Sequence, residues 1–329
     1  MTLTVTLLAT AGLLPAPALA GPPYQVSVIQ SYHPEYNWDA QYLQALQDEM
    51  GERCELTAYS MDTKHLPKSE WPQKADDIAG RIARNKPDLV VIGDDNAFSL
   101  MATRVADMNI PVVFLGVNGG ESQYPQALHH PLITGVLERP FFEQNVRHMR
   151  KVLRHDQRFL ILTDDSPTMN NAIGEYFGDT RSRTIHGTQV DVLMTNSREQ
   201  WLHAIASAAD AGTDAIIIGT HHTIYDHDGQ YAKPDELMAE AWATAPVPIF
   251  SLWDIFVGDH KAAGGFTVSA YQEGVTASRL ALMILNGTPV SSIEPMKSLS
   301  GHFVYSRKAM EHWHIRLSSL TASQTAFIE

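Results

Sequence analysis

The stretch from Asp88 to Met101, DLVVIGDDNAFSLM, decides how this chain folds. Leu89 to Ile92 is an unbroken apolar run bounded by Pro87 and Gly93. Such a run between turn signals reads as a strand buried on both faces, as in a parallel sheet. Asp94, Asp95 and Asn96 follow at once, and Phe98, Leu100, Met101 and Val105 then recur in a helical pattern. Two acids and an amide therefore stand where a strand ends and a helix begins, the edge at which open α/β sheets bind ligands. Either acid alone is equally well explained as a helix N-cap. Both acids together with the amide exceed what one cap needs, so a ligand contact is expected within Asp94–Asn96.

The same alternation extends in both directions. Upstream lie a strand at Tyr24–Ile29, a polar loop at Tyr32–Asp39, a helix from Asp39, a strand at Leu56–Tyr59 and a helix at Trp71–Arg84. Downstream, a strand at Ile110–Leu115 ends in Gly116–Gly120, and Ile133–Leu137 reads as a short strand. After Pro140 the pattern starts afresh, with strands at Phe159–Thr163, Val190–Met194, Ala215–Ile218 and Val247–Leu252 and helices between them. Strands separated by helices imply parallel sheets with crossover helices. The expected fold class is α/β, with two Rossmann-like lobes joined by a multi-segment hinge. A last strand–helix–strand–helix segment, Gly264 to Trp313, is too small for a third domain and reads as the chain crossing back to complete both lobes. The expected boundaries are 24–137 plus about 264–288 for the first lobe, 138–263 plus about 289–316 for the second, and 317–329 as a C-terminal tail.

Composition sets the compartment and excludes some partners. Residues 1–20 carry no charged side chain, run apolar from Leu3 to Leu14 and end in Ala18-Leu19-Ala20. This pattern reads as a secretory signal peptide cleaved after Ala20, although the usual basic start is missing. A periplasmic, exported protein is expected, without stable membrane insertion, since no later stretch is apolar for long enough to cross a bilayer. The net charge of −13 argues against nucleic acid as a partner. The single Cys54 cannot form an intramolecular disulfide and is expected to pack in the core.

Every polar loop of note falls at the carboxyl end of an expected strand. Facing sheets would bring these loops to one cleft, where aromatics stack on a ligand and acids and amides hydrogen-bond it. From the residues themselves the candidates are Tyr36, Trp38 and Trp253 for stacking and Asp94, Asp95 and Asn96 for polar contacts. Replacing Asp94 and Asp95 by Ala is expected to weaken binding with little loss of folding. The loop His221–Asp228 is rich in His and Asp, but His222 and His227 lack a standard ligand spacing, so no metal and no cofactor are expected. No GxGxxG, GxxxxGK[ST] or GxSxG motif is present, and adjacent acids on one loop do not flank a bond as a glycosidase pair must. No enzymatic activity is expected; an exported metal-dependent hydrolase is the weaker alternative.

Scattered over Tyr24 to Ile315, the segments SYHPEYNWD, MDTK, DLVVIGDDNA, PVVFLGVNG, ITGVLE and PIFSLWD carry a family resemblance. Together they resemble the ABC-transporter substrate-binding family of the type I periplasmic binding protein fold, in a branch also found as extracytoplasmic sensor domains. The resemblance implies ligand capture between two lobes by hinge closure. It also implies that strand-end loops line the cleft, which carries over to Tyr32, Asp94, Asp95, Asn96 and Asn118, and beyond them to Asp164, Asp165, Ser166, Thr220 and Asp254. The implied partners are a small amino-acid-like or sugar ligand and an ABC permease or a membrane sensor protein such as a kinase or cyclase.

Overall fold

The computed structural model describes residues 22–153, 158–298 and 301–329; the expected export signal, Met1 to Ala20, lies outside the described residues. The first sheet contains β1 (Tyr24–Gln30), β2 (Cys54–Ser60), β3 (Leu89–Gly93), β4 (Val112–Val117) and β5 (Ile133–Leu137). The second contains β6 (Arg158–Thr163), β7 (Ser182–Ile185), β8 (Thr188–Met194), β9 (Ala215–Ile218) and β10 (Ile249–Ser251). Beyond them come β11 (Gly264–Thr267), β12 (Met296–Lys297), β13 (His302–Ser306) and β14 (Thr325–Ile328).

In the first sheet the order is β12-β5-β4-β3-β1-β2, all parallel. Strand order thus reverses between β1 and β3, which makes their carboxyl ends the switch point where the connecting helices leave on opposite faces. In the second sheet the order is β10-β9-β6-β8-β7, and the corresponding reversal falls between β6 and β9. Each lobe therefore has one crevice, and the two crevices face each other. Leu89 to Ile92 is fully buried, as an unbroken apolar run in a central parallel strand requires.

Helices cover the sheets for reasons the sequence carries. In Trp71–Asn85, Ala75, Ile78, Ala79 and Ile82 share the buried face, Pro72 sits in the first turn, and Lys86 ends the helix in a left-handed conformation. The helix Ala270–Leu285 returns from the second half of the chain and packs along Asn37–Met50 on the first sheet. Gly274 lets the two come close, since a Cβ there would lie 2.7 Å from the Tyr42 carbonyl oxygen and 2.7 Å from the Ala45 Cβ.

Three features differ from the expectations. The hairpin β7–β8 adds an antiparallel edge to the second sheet, turning at His186 and Gly187, both at positive φ. β7 is polar and largely exposed, so it leaves no apolar run to read. The chain also does not end in a bare tail, because Ser319–Ser323 is a short helix and β14 pairs parallel with β13. Together with β11 these strands form a third, small sheet, β11-β13-β14. No helix among the described residues is long and apolar enough to cross a membrane.

Candidate functional site

The two switch points meet across the lobes. On the first, the Ser31 hydroxyl after β1 donates to the Gly93 carbonyl at 2.6 Å and accepts from the Ala97 amide at 2.8 Å, tying the ends of β1 and β3 together. On the second, the Asp164 amide after β6 donates to the Thr220 carbonyl after β9 at 2.8 Å. The Ser166 and Thr220 hydroxyls lie 3.2 Å apart. Between the switch points is a cavity walled by Tyr32, Tyr36, Trp38, Lys64, Asp94 and Glu138 from one side. Ser166, Thr168, Thr220, Trp253, Ile255 and Phe256 close it from the other. Its free volume is about 20 Å³, room for about one water molecule, so a larger ligand requires the lobes to part. A wider vestibule of about 570 Å³ opens outward from it and shares Tyr36, Lys64, Ile255 and Phe256.

Asp94 is the most exposed to conflict of these groups. Its φ of 67° is left-handed, a conformation that non-glycine residues adopt at some cost and that clusters at functional sites. The helix Asp94–Ala106 starts at this residue with no side-chain cap, so the N-cap alternative is not what the acids do. Gly116, itself at φ 69°, leaves room for Asp94, since a Cβ there would sit 3.3 Å from Asp94 Oδ1 and 3.4 Å from Trp38 Nε1. Asp94 Oδ2 and Trp38 Nε1 are both buried without a hydrogen-bond partner among the described residues. Burial pushes the Asp94 carboxyl well above the usual carboxylate range, and Asp39, Glu138 and Asp95 push it further.

Glu138, at the end of β5, is also held well above its usual range, by burial first and by Glu273 next. It accepts hydrogen bonds from Trp253 Nε1 at 2.9 Å and Asn118 Nδ2 at 3.2 Å. Behind it, burial raises Glu273 to about 7. Asp39, beside Trp38 in the first turn of its helix, is likewise raised by burial; Oδ2 accepts from the Tyr32 amide at 3.0 Å while Oδ1 is unpartnered. The site is thus a low-dielectric pocket of carboxyls whose ionised form burial disfavours, with aromatic walls and acceptor oxygens left unpartnered among the described residues. That arrangement suits a donor-rich, positively charged ligand group.

Of the thirteen residues singled out from the sequence, Tyr32, Tyr36, Trp38, Asp94, Ser166, Thr220 and Trp253 line the cavity. The rest stand behind or beside it. Asp95 accepts from the Asn118 and Gly119 amides at 3.0 and 2.8 Å, from Tyr124 at 3.1 Å and from Asn171 Nδ2 at 2.8 Å. Its capacity is spent on structure, which revises the expectation that replacing it leaves folding untouched. Asn96 donates to the Thr63 hydroxyl at 2.9 Å, and Asn118 reaches the cavity only through Glu138. Asp164 holds the Thr220 hydroxyl and accepts from the Thr223 amide at 3.1 Å, Asp165 is exposed beside Asn170, and Asp254 faces His302 at 3.4 Å. Lys64, Glu138, Thr168, Ile255 and Phe256 complete the lining and are not among those thirteen. Lys64 and Glu138 follow β2 and β5, so the strand-end rule applied to those two strands reaches them as well. In the His221–Asp228 loop, His221 and His222 stack on each other at 5.0 Å, both packing beside Phe256 and facing the vestibule, while His227 is exposed and pairs with Asp228. Among the described residues, no group of three or more His, Cys, Asp or Glu is placed to hold a metal ion.

Comparison with known proteins agrees with this geometry. The family described as ABC transporter substrate binding protein matches residues 43–325. No curated protein sequence matches the chain. Among solved structures, a conserved domain protein from Vibrio cholerae is similar at TM-score 0.66 and 16% identity, covering 93% of this chain and 99% of the other. An ABC domain from Streptococcus pneumonia in complex with L-Trp is similar at TM-score 0.65 and 14% identity, over 93% and 100% of the two chains. A periplasmic solute-binding protein from Actinobacillus succinogenes with bound D-allose is similar at TM-score 0.57 and 11% identity, over 88% and 99%. These identities speak to the fold.

Proposed function

The chain belongs to the ABC transporter substrate-binding protein family, and we propose that it captures a small amine-bearing organic molecule between its lobes and presents the closed form to an ABC permease outside the cytoplasmic membrane. The observation that carries this reading is Asp94. A carboxyl with an unspent oxygen, buried in an aromatic-walled cavity where two switch points face each other, is costly until a cation reaches it. An ammonium group between Asp94 and Glu138 turns that cost into a charge-assisted contact. Tyr32, Tyr36, Trp38 and Trp253 supply faces for the cation and for the rest of the ligand. Similar folds hold L-Trp in one case and D-allose in another, in keeping with a small solute in this cleft.

The mechanism is differential binding to two conformations. A ligand that touches Asp94 on one lobe and Thr220 or Trp253 on the other makes all its contacts only when the lobes are together, so it shifts the population toward closure. A membrane permease then reads the closed outline. Thermal-shift measurement against amino acids, simple amines, polyamines and sugars tests the reading. An amine at about 100 times its dissociation constant adds about 2.7 kcal/mol of stability, visible as a raised melting temperature. Stabilisation by neutral sugars alone would sink the amine assignment.

A further inference from the structure

The inner cavity and the vestibule meet at Lys64, whose ammonium forms no ion pair among the described residues. The segment after β2 that carries it is pinned, with the Thr63 amide and hydroxyl both on the Ser31 carbonyl at 3.0 and 2.8 Å. Lys64 Nζ stands 4.1 Å from the centroid of the Tyr32 ring and 4.6 Å from that of Tyr36. Other cations around the vestibule are spent: Lys233 on Glu236 at 2.7 Å and Lys261 on Asp235 at 2.7 Å. The imidazoles of His33 and His65 face Glu35 at 3.1 Å and Asp62 at 2.8 Å. Lys64 closes no such pair with a carboxylate among the described residues, and burial lowers its pKa, an effect that Asp164, Asp94 and Asp39 oppose without cancelling. Next to it, His222 packs edge-on against Tyr36 at 4.9 Å and leaves a buried Nδ1 without a partner.

We propose that Lys64 is the specificity-determining residue that reads a carboxylate on the ligand, which makes the ligand a zwitterion. Its ammonium faces Asp94 and Glu138, its carboxylate takes the free donors of Lys64, and its remaining body extends into the vestibule between Tyr36, His222 and Phe256. A simple amine would meet the Lys64 charge as a repulsion at the same doorway, whereas a zwitterion satisfies both signs. This assignment rests on the amine reading given above.

The test is calorimetric titration of wild-type and Lys64→Met protein with matched pairs: L-tryptophan and tryptamine, L-tyrosine and tyramine, L-lysine and cadaverine. Wild-type protein is expected to bind at least one amino acid about tenfold or more tighter than its decarboxylated amine, about 1.4 kcal/mol. Lys64→Met is expected to bring the two within about threefold, and Lys64→Arg to keep part of the preference. Should Lys64→Met fold poorly, the wild-type comparison of each acid with its amide decides. Wild-type binding of amines as tight as that of the acids overturns the assignment of Lys64 while leaving the amine reading intact. Lys64→Met is also expected to raise amine affinity as the repulsion is lifted, and a variant that keeps the full wild-type preference for the acid overturns the assignment. Binding of neutral sugars only, or of no compound in the set, overturns the amine reading and this assignment with it.

Discussion

Asn171 on the second lobe donates through Nδ2 to Asp95 Oδ1 on the first at 2.8 Å. The contact lies outside the ligand cavity, and Tyr32 and Thr168 add a second interlobe pair at 3.3 Å. Closure is therefore stabilised in part by Asn171 and Asp95, neither of which lines the cavity. Removing the amide removes a hydrogen bond to a charged acceptor, about 1.5–3 kcal/mol of which falls on the closed state alone. Asn171→Ala is expected to raise the radius of gyration of the unliganded protein in X-ray scattering and to weaken ligand binding several-fold. Unchanged scattering and affinity would mean that the contact does not bias the hinge.

The two adjacent acids are expected to separate in their effects. Asp94→Asn keeps the shape of an unspent side chain and should abolish or greatly weaken binding with little change in melting temperature. Asp95→Ala strands two backbone amides, a tyrosine hydroxyl and an amide side chain, a loss of about 3 kcal/mol or more of stability. Denaturant titration of both variants checks the division. Equal stability losses would put Asp94 among the structural residues.

Stability should fall as pH rises through neutrality. Glu273 is raised to about 7 in the folded chain, so the folded state holds a proton that the unfolded state has released. Its contribution is complete below the unfolded carboxyl range and is lost as pH rises through about 7. His148 is lowered to about 4 by burial, so its contribution is present above the ordinary imidazole range and is lost as pH falls toward 4. Between the ordinary carboxyl and imidazole ranges the two contributions offset each other, so stability is expected to be flat there and to fall on either side. Glu273→Gln is expected to make the alkaline limb shallower and to leave the part carried by Asp39, which burial raises to about 8; melting curves from pH 5 to about 8.5 that keep the wild-type slope would remove Glu273 from that limb.

Two helical glycines are expected to respond with opposite signs. Glycine to alanine inside a helix ordinarily gains about 1 kcal/mol. At Gly174 a Cβ meets nothing within 4 Å, so Gly174→Ala should stabilise. At Gly274 it meets the Tyr42 backbone and Ala45 at 2.7 Å, and forcing the helices apart should cost about 1–3 kcal/mol. Chemical denaturation of the two single variants gives the comparison directly, and a stabilised Gly274→Ala would mean that the helix crossing yields readily.

The apolar runs made the layers legible. Leu89–Ile92 and Ala215–Ile218 are short, unbroken and flanked by turn residues, and they form the central buried strands. What the sequence could not order was function among residues of one kind. Asp94 and Asp95 are neighbours of the same chemistry, yet one faces the cavity and the other ties down the Asn118–Gly119 turn. Only the left-handed backbone at Asp94 separates them, and no side-chain pattern announces it. Glu138 and Lys64 each sit inside a segment that carries the family resemblance, ITGVLE and MDTK, but their convergence depends on the strand order around β1. The edge strand β7 is polar for the reason edge strands often are, and so it looks like loop.

The interlobe contacts outside the cavity have a consequence for traffic at the membrane. An empty molecule that shuts on Asn171–Asp95 leaves room for about one water between its lobes, so its outline is narrower than that of a loaded one. On the proposed reading, a partner fitted to the loaded outline passes over the empty one. The Asn171–Asp95 hydrogen bond is then a latch that must be undone before cargo enters, and its strength sets how readily an empty molecule samples the open form.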